Sequence, residues 1–161
     1  MDKKILGLLN NQINAEIFSA YLYLSMASWL REKSYDGCAS WMEIQYQEEL
    51  SHAKKIYDFV YDRGERVILK AIDAPKTEWN SVLSIFEEAY EHEKKVTAMI
   101  NSIVDASIKT RDHATFSFMQ WFVNEQVEEE ASVDEIVQKM KMVQKSPNGL
   151  FMIDSNLGKR K

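Results

Sequence analysis

Apolar residues recur along most of the chain at the three-and-four spacing of helices that bury one face. The first stripe runs Leu9, Ile13, Glu16, Ala20, Tyr23, Ala27 and Leu30, and the second Met42, Gln45, Glu49, His52, Ile56 and Phe59. The third reads Phe86, Ala89, Glu93, Val96, Ile100 and Ile103. The fourth reads Met119, Phe122, Gln126, Glu129, Val133, Ile136 and Met140. The pattern predicts helices over about 3–32, 36–63, 80–109 and 112–144. Ser34-Tyr35-Asp36-Gly37 makes a short turn that sets the first two helices antiparallel, and Gly64 is a C-cap for the second. Over 65–78 the helical stripe vanishes, Val67, Leu69 and Ala71 alternate with other residues, and Pro75 interrupts. Extended, that stretch reaches ~46 Å, against ~42 Å for a helix of about 28 residues. It can therefore cross the whole bundle and leave the third helix parallel to the second. Ser146-Pro147 reads as an N-cap and first residue of a fifth helix over about 147–157, carrying Leu150, Phe151, Ile153 and Leu157. So short a helix must dock on something, with another subunit one option, and 158–161 reads as a solvated tail. The expected fold is all-α: one domain over 1–161, a four-helix bundle with a long crossover between helices two and three, plus the fifth helix.

Each of the four stripes carries an acid near mid-length: Glu16, Glu49, Glu93 and Glu129. At ~1.5 Å per residue they lie roughly 18–26 Å from their helix starts, so they converge on one level whichever way each helix points. His52 follows Glu49 at i+3 and Gln126 precedes Glu129 at i−3, each on the same face as its partner. Burying unpaired carboxylates costs several kcal/mol each, so a pocket of this composition calls for a cation. Oxygen ligands with one imidazole suit Fe(II), Mn(II) or Zn(II).

The composition narrows the classes further. Hydrophobic content is 45 %, with five Gly and two Pro, which favours long helices over a turn-rich β fold. The net charge of −5 argues against a nucleic-acid partner. One cysteine, Cys38, excludes an internal disulfide and a Cys-rich metal site, and reads as a small packed residue in a reducing compartment. The longest charge-free run, Ile17 to Leu30, falls short of the ~18 residues of a membrane span. Met1-Asp2-Lys3-Lys4 opens no apolar leader. A cytoplasmic protein with no membrane partner is expected.

Asn11-Gln12-Ile13-Asn14-Ala15-Glu16, Gln47-Glu48-Glu49-Leu50-Ser51-His52, Tyr90-Glu91-His92-Glu93 and the run Phe118 to Glu130 resemble the prokaryotic non-haem ferritins over nearly the whole chain. The resemblance implies a di-iron ferroxidase centre: Glu16, Glu49 and His52 as the first site, and Glu49, Glu93 and Glu129 as the second, with Glu49 bridging and Gln126 beside it. It assigns Glu48, Glu125, Glu128 and Glu129 to an accessory third iron site, and places Tyr23 and Trp121 near the centre. It further implies a homo-oligomeric shell of 24 subunits that oxidises Fe(II) with O2 or peroxide and stores ferric oxyhydroxide.

Plainer readings stand beside several of these. Glu48, Glu125 and Glu128 also fit a solvated acidic face, and Tyr23 and Trp121 ordinary aromatic packing. His92 points about 100° away from Glu93 on a helix and reads as a surface or interface histidine. His113 is either a pore residue or the neighbour of the Asp112 cap, the latter favoured. The methionines at 26, 42, 99, 119, 140, 142 and 152 read mostly as packing. A non-storing di-iron oxidase or peroxidase is the rival function. Bacterioferritin would want a histidine at 132 and a methionine at 50 for haem, where this chain has Ser132 and Leu50, so no haem is expected. A rubrerythrin would need paired Cys-x-x-Cys. A metal-free structural bundle fails on the cost of its buried acids.

Overall fold

The computed structural model describes residues 1–161 as five helices: α1 Lys3–Glu32, α2 Asp36–Asp62, α3 Val82–Thr110, α4 His113–Val143 and α5 Pro147–Leu157. Several boundaries have a local cause. Asp2 caps α1 by accepting from the Lys4 N–H, and Asp112 caps α4 by accepting from the Thr115 N–H. Ser81 and Ser84 bond each other's backbone in a reciprocal box at the start of α3. Gly64, with φ of 73°, ends α2: its N–H reaches the Tyr61 carbonyl while that of Glu65 reaches Val60.

All residues of the first, third and fourth stripes are buried. On α2 the stripe ends differently, because Val60 is buried and Phe59 is half-buried, stacked face to face on Phe118 at 3.9 Å. Of the methionines, Met26, Met42, Met119 and Met140 are core residues, whereas Met99, Met142 and Met152 are exposed. The core divides into two apolar clusters. One holds Tyr23, Met26, Met42, Phe86, Val133 and Met140, and the other Leu9, Ile13, Ile56, Ile100, Met119 and Phe122. The layer between them contains the acids.

The crossover runs alongside α1 and is pinned to it by polar side chains that precede it in sequence. Asn10 accepts from the Ile68 N–H at 2.9 Å, Asn14 donates to the Ala71 carbonyl at 3.0 Å, and Ser25 donates to the Lys76 carbonyl at 2.7 Å. Val67 and Trp79 are buried at its two ends, while Leu69 is exposed, so the alternation over 67–71 does not translate into burial. At the far end of α2, Arg63 grips Asp112 with two hydrogen bonds and so ties that end to the start of α4.

α5 docks within the same chain, against α2 and α4. Ile153 and Leu157 pack on the first core cluster, and Phe151 and Met152 face outward. Gly37 is the enabling residue: a Cβ there would collide with the Asp154 carbonyl, and Gly158 lies against the same spot. The Asp154 carboxylate accepts the Cys38 N–H at 2.8 Å and so caps α2, whose own N-cap residue Tyr35 offers no side-chain bond. Cys38 is fully buried, and burial pushes its thiol pKa far up, with the neighbouring Asp154 adding to the shift. The segment after α5 is not wholly solvated as its charge suggests: Lys159 and Lys161 are exposed, but Arg160 is half-buried against α2.

Candidate metal centre

The layer between the two apolar clusters is built from all four long helices. α1 contributes Glu16, α2 Gln45, Glu49 and His52, α3 Glu93, and α4 Gln126 and Glu129; all are buried. Ligand atoms of Glu16, Glu49 and His52 lie within 4.8 Å of one another, and so do those of His52, Glu125 and Glu129. His52 is shared between the groups, with Nδ1 at 3.5 Å from Glu49 and Nε2 at 3.9 Å from Glu125.

Hydrogen bonds fix some carboxylate oxygens of the layer and leave others free. Glu93 accepts from the Tyr23 hydroxyl on one oxygen and from the Gln126 amide, at 3.1 Å, on the other. Glu129 accepts from the Gln45 amide at 2.8 Å, and Glu16 from the Gln12 amide at 2.7 Å. The second oxygen of Glu16 has no partner although it is buried. No lysine or arginine reaches within ion-pair distance of Glu16, Glu49, Glu93 or Glu129. Buried polar atoms are almost always satisfied, so a vacant carboxylate oxygen in a cation-poor acidic layer fits a divalent metal ion.

Without such an ion Glu49, Glu93 and Glu129 hold their protons more firmly than free carboxylates do. Burial, then the charges of Glu16 and Glu93, push the Glu49 pKa well above the usual carboxylate range. Burial raises Glu93 to about 7, against the opposing pull of the Tyr23 and Gln126 hydrogen bonds. Burial and then Glu93 raise Glu129 to about 8, with the Gln45 hydrogen bond working the other way. Tyr23 is fully buried, and burial followed by the Glu93 charge puts its hydroxyl far above the ordinary range. The phenol therefore stays protonated and donates to Glu93.

The outer acids divide. Glu125 reaches His52, Glu128 is exposed and stands outside both clusters, and Glu48 is engaged by Arg160. Trp121 is partly exposed, its ring edge-on to His52 at 5.4 Å and covered by the Lys55 ammonium at 3.8 Å. His92 is turned inward: Nε2 lies 2.7 Å from the Ser19 hydroxyl, the ring packs edge-on to Tyr23, and burial lowers its pKa to about 4. The ring is half-buried, with Phe18 and Ser19 of α1 against it. His113 is exposed beside the Asp112 cap.

The sequence reading gave no role to Gln12, Gln45 or Arg160, although Gln45 stands in the second stripe. Gln12 and Gln45 each lie four residues before a core acid, a spacing at which an amide can reach the same layer, and that spacing was the available signal. Arg160 had no such signal, because only the docking of α5 brings it near.

Comparison with known proteins gives one consistent result. A model of the ferritin-like domain matches residues 6–143. The bacterial non-heme ferritin of Campylobacter jejuni is 40% identical over 154 residues, spanning 96% of this chain and 92% of its own. That of Bacteroides fragilis is 39% identical over 160 residues, with 99% of each chain covered. Among solved structures, an open pore ferritin from the hyperthermophilic archaeon Archaeoglobus fulgidus superposes with a TM-score of 0.99 at 47% identity, covering 100% of this chain and 98% of that one. An engineered closed form of the same ferritin gives 0.98.

Proposed function

The chain belongs to the ferritin family, and from that premise we propose that it is an iron-storing ferroxidase whose substrate, Fe(II), is oxidised in the mid-bundle acidic layer. The observation that carries the reading is the buried convergence of Glu16, Glu49 and His52 with a carboxylate oxygen left unpartnered. Glu16, Glu49 and His52 hold one Fe(II); Glu49, Glu93 and Glu129 hold a second, with Gln126 steadying Glu93. Two ions side by side each give one electron to a common oxidant, O2 or peroxide. Metal entry expels the protons that Glu49, Glu93 and Glu129 retain when the layer is metal-free. Tyr23, bonded to Glu93, is placed to pass a proton or an electron to that side of the layer. Glu48, Glu125, Glu128 and Glu129 form the accessory third position.

Copies of the chain assemble into a shell, for which 24 subunits is our proposed number, and the ferric product is stored inside as oxyhydroxide. Tyr21 and Leu24, exposed along α1, are apolar surface for such contacts. No helix is long and apolar enough to cross a membrane, and the one cysteine is free, which supports a cytoplasmic setting.

The test is iron retained per chain after aerobic Fe(II) loading, read on the protein peak from gel filtration. The expected outcome is iron far above the handful of ligand positions, in a large soluble particle. Retention of only about two ions per chain in a small oligomer would mean a di-iron enzyme that does not store.

A further inference from the structure

Arg160 is the one arginine or lysine whose cationic group lies within ion-pair distance of any acid assigned to the three iron positions. Its guanidinium makes two short hydrogen bonds, from NH2 to Glu48 at 2.6 Å and from NH1 to the Gln45 carbonyl oxygen at 2.6 Å. The same Gln45 side chain donates to Glu129 at 2.8 Å, so one cation is coupled directly to Glu48 and through one amide to Glu129. The Trp41 ring lies under the guanidinium at 4.8 Å. This placement is built into the fold. Gly37 lets α5 approach α2 closely, Asp154 locks it to the Cys38 N–H, and the chain then passes Gly158 and delivers Arg160 to the level of Glu48.

We infer that Arg160 is a tethered cation that holds the accessory iron position closed, and that a third metal ion binds there by displacing it from Glu48 and releasing the segment after α5. The inference rests on reading Glu48, Glu125, Glu128 and Glu129 as that third position. A metal ion held by Glu48 must share the carboxylate with the guanidinium, which already occupies one of its two oxygens, and two cations on one carboxylate repel each other. The latch is weak enough to open. The Arg160 and Glu48 side chains are 27% and 40% exposed, and a pair so open to water is screened and worth little. Lys159 and Lys161 on either side are exposed, so release breaks few other contacts. The position is thereby charge-balanced when empty and holds a metal ion less firmly than the two inner positions do, as suits a stop from which iron moves on.

The experiment is calorimetric titration of the iron-free assembled protein with Zn(II) as a redox-inert probe, in the wild type and in Arg160→Gln, Arg160→Lys and Glu48→Gln. In Arg160→Gln the third ion should bind about fivefold more tightly, the upper end of what an exposed ion pair is worth. The two tighter ions should be unaffected. Arg160→Lys keeps the charge and should stay near wild-type affinity. Hydrogen exchange of the peptide containing residues 158–161 should accelerate as the third ion binds to the wild type. Third-ion affinity unchanged or weakened in Arg160→Gln, tightening in Arg160→Lys equal to that in Arg160→Gln, or exchange indifferent to the third ion, would each overturn the role of Arg160. Glu48→Gln separates the underlying reading: loss of the third ion there upholds it, whereas retention at wild-type affinity removes the third position itself and the latch with it.

Discussion

Glu49 lies between two other acids, Glu16 and Glu93, and its charge is opposed by both as well as by its burial. No side chain of the molecule compensates it fully, because His52, 3.5 Å away, is the sole basic group beside it. Such a residue gives the apo fold little and is justified by what it binds. Replacing Glu49 or His52 by Ala should therefore slow Fe(II) oxidation by on the order of a hundredfold. Far-ultraviolet circular dichroism should show the helices intact. Initial oxidation rates equal to wild type in both variants would sink the assignment. Gln45 and Gln12 illustrate a quieter role, in which an amide that binds no metal fixes which oxygen of Glu129 or Glu16 faces the cavity.

Helix α5 is held both by Ile153 and Leu157 on the core and by a close backbone approach, while Phe151 and Met152 point outward. The critical contact is Gly37 against Asp154 and Gly158, where no Cβ fits. Gly37→Ala should displace α5 and cost about 1–3 kcal/mol, the usual range for overpacking at a tight contact. The checks are a lowered Tm and faster hydrogen exchange over Pro147–Leu157; unchanged protection of that helix would refute the account. The crossover is a second element whose course depends on tertiary partners. Asn10, Asn14 and Ser25 lie on α1, and nothing in the sequence of 65–81 announces which of its backbone groups they take.

Stability of the whole iron-free molecule should fall as pH rises from about 4.5 to about 8. Glu93 and Glu129 titrate near 4.5 when free but at about 7 and about 8 in the fold, and Glu49 is raised likewise. Below the lower limit both folded and unfolded chains hold these protons, and the three acids add no pH dependence. Through the window the unfolded chain ionises while the fold resists, so stability is lost as pH climbs. Asp112 sets the acid limit in the opposite sense. Partial burial works against its charge, but Arg63 and Thr115 hold it down at about 2, and its contribution disappears as pH falls from about 3.8 through that value. Calorimetric melting in chelator should show a Tm lower by at least about 5 °C at the alkaline end of the window than at the acid end. Glu129→Gln should flatten the slope, and a Tm that rises across the window would contradict the electrostatic picture.

Four amphipathic stripes at helical period determined the number, length and inward face of the long helices. One core acid on each, at matching depth, determined that a polar layer would interrupt the core. These properties are local or additive: a helix face follows from spacing, and depth follows from a fixed rise per residue. Only the tertiary structure decided which oxygens are free and which are bonded, because Gln12, Gln45 and Tyr23 choose them through side-chain geometry across the layer. It also decided that His92 turns inward, that α5 docks on its own bundle, and that Arg160 closes on Glu48 from more than a hundred residues away. A contact between segments so distant depends on where two helices meet and on a glycine small enough to let them meet, and neither is written in the periodicity of either segment.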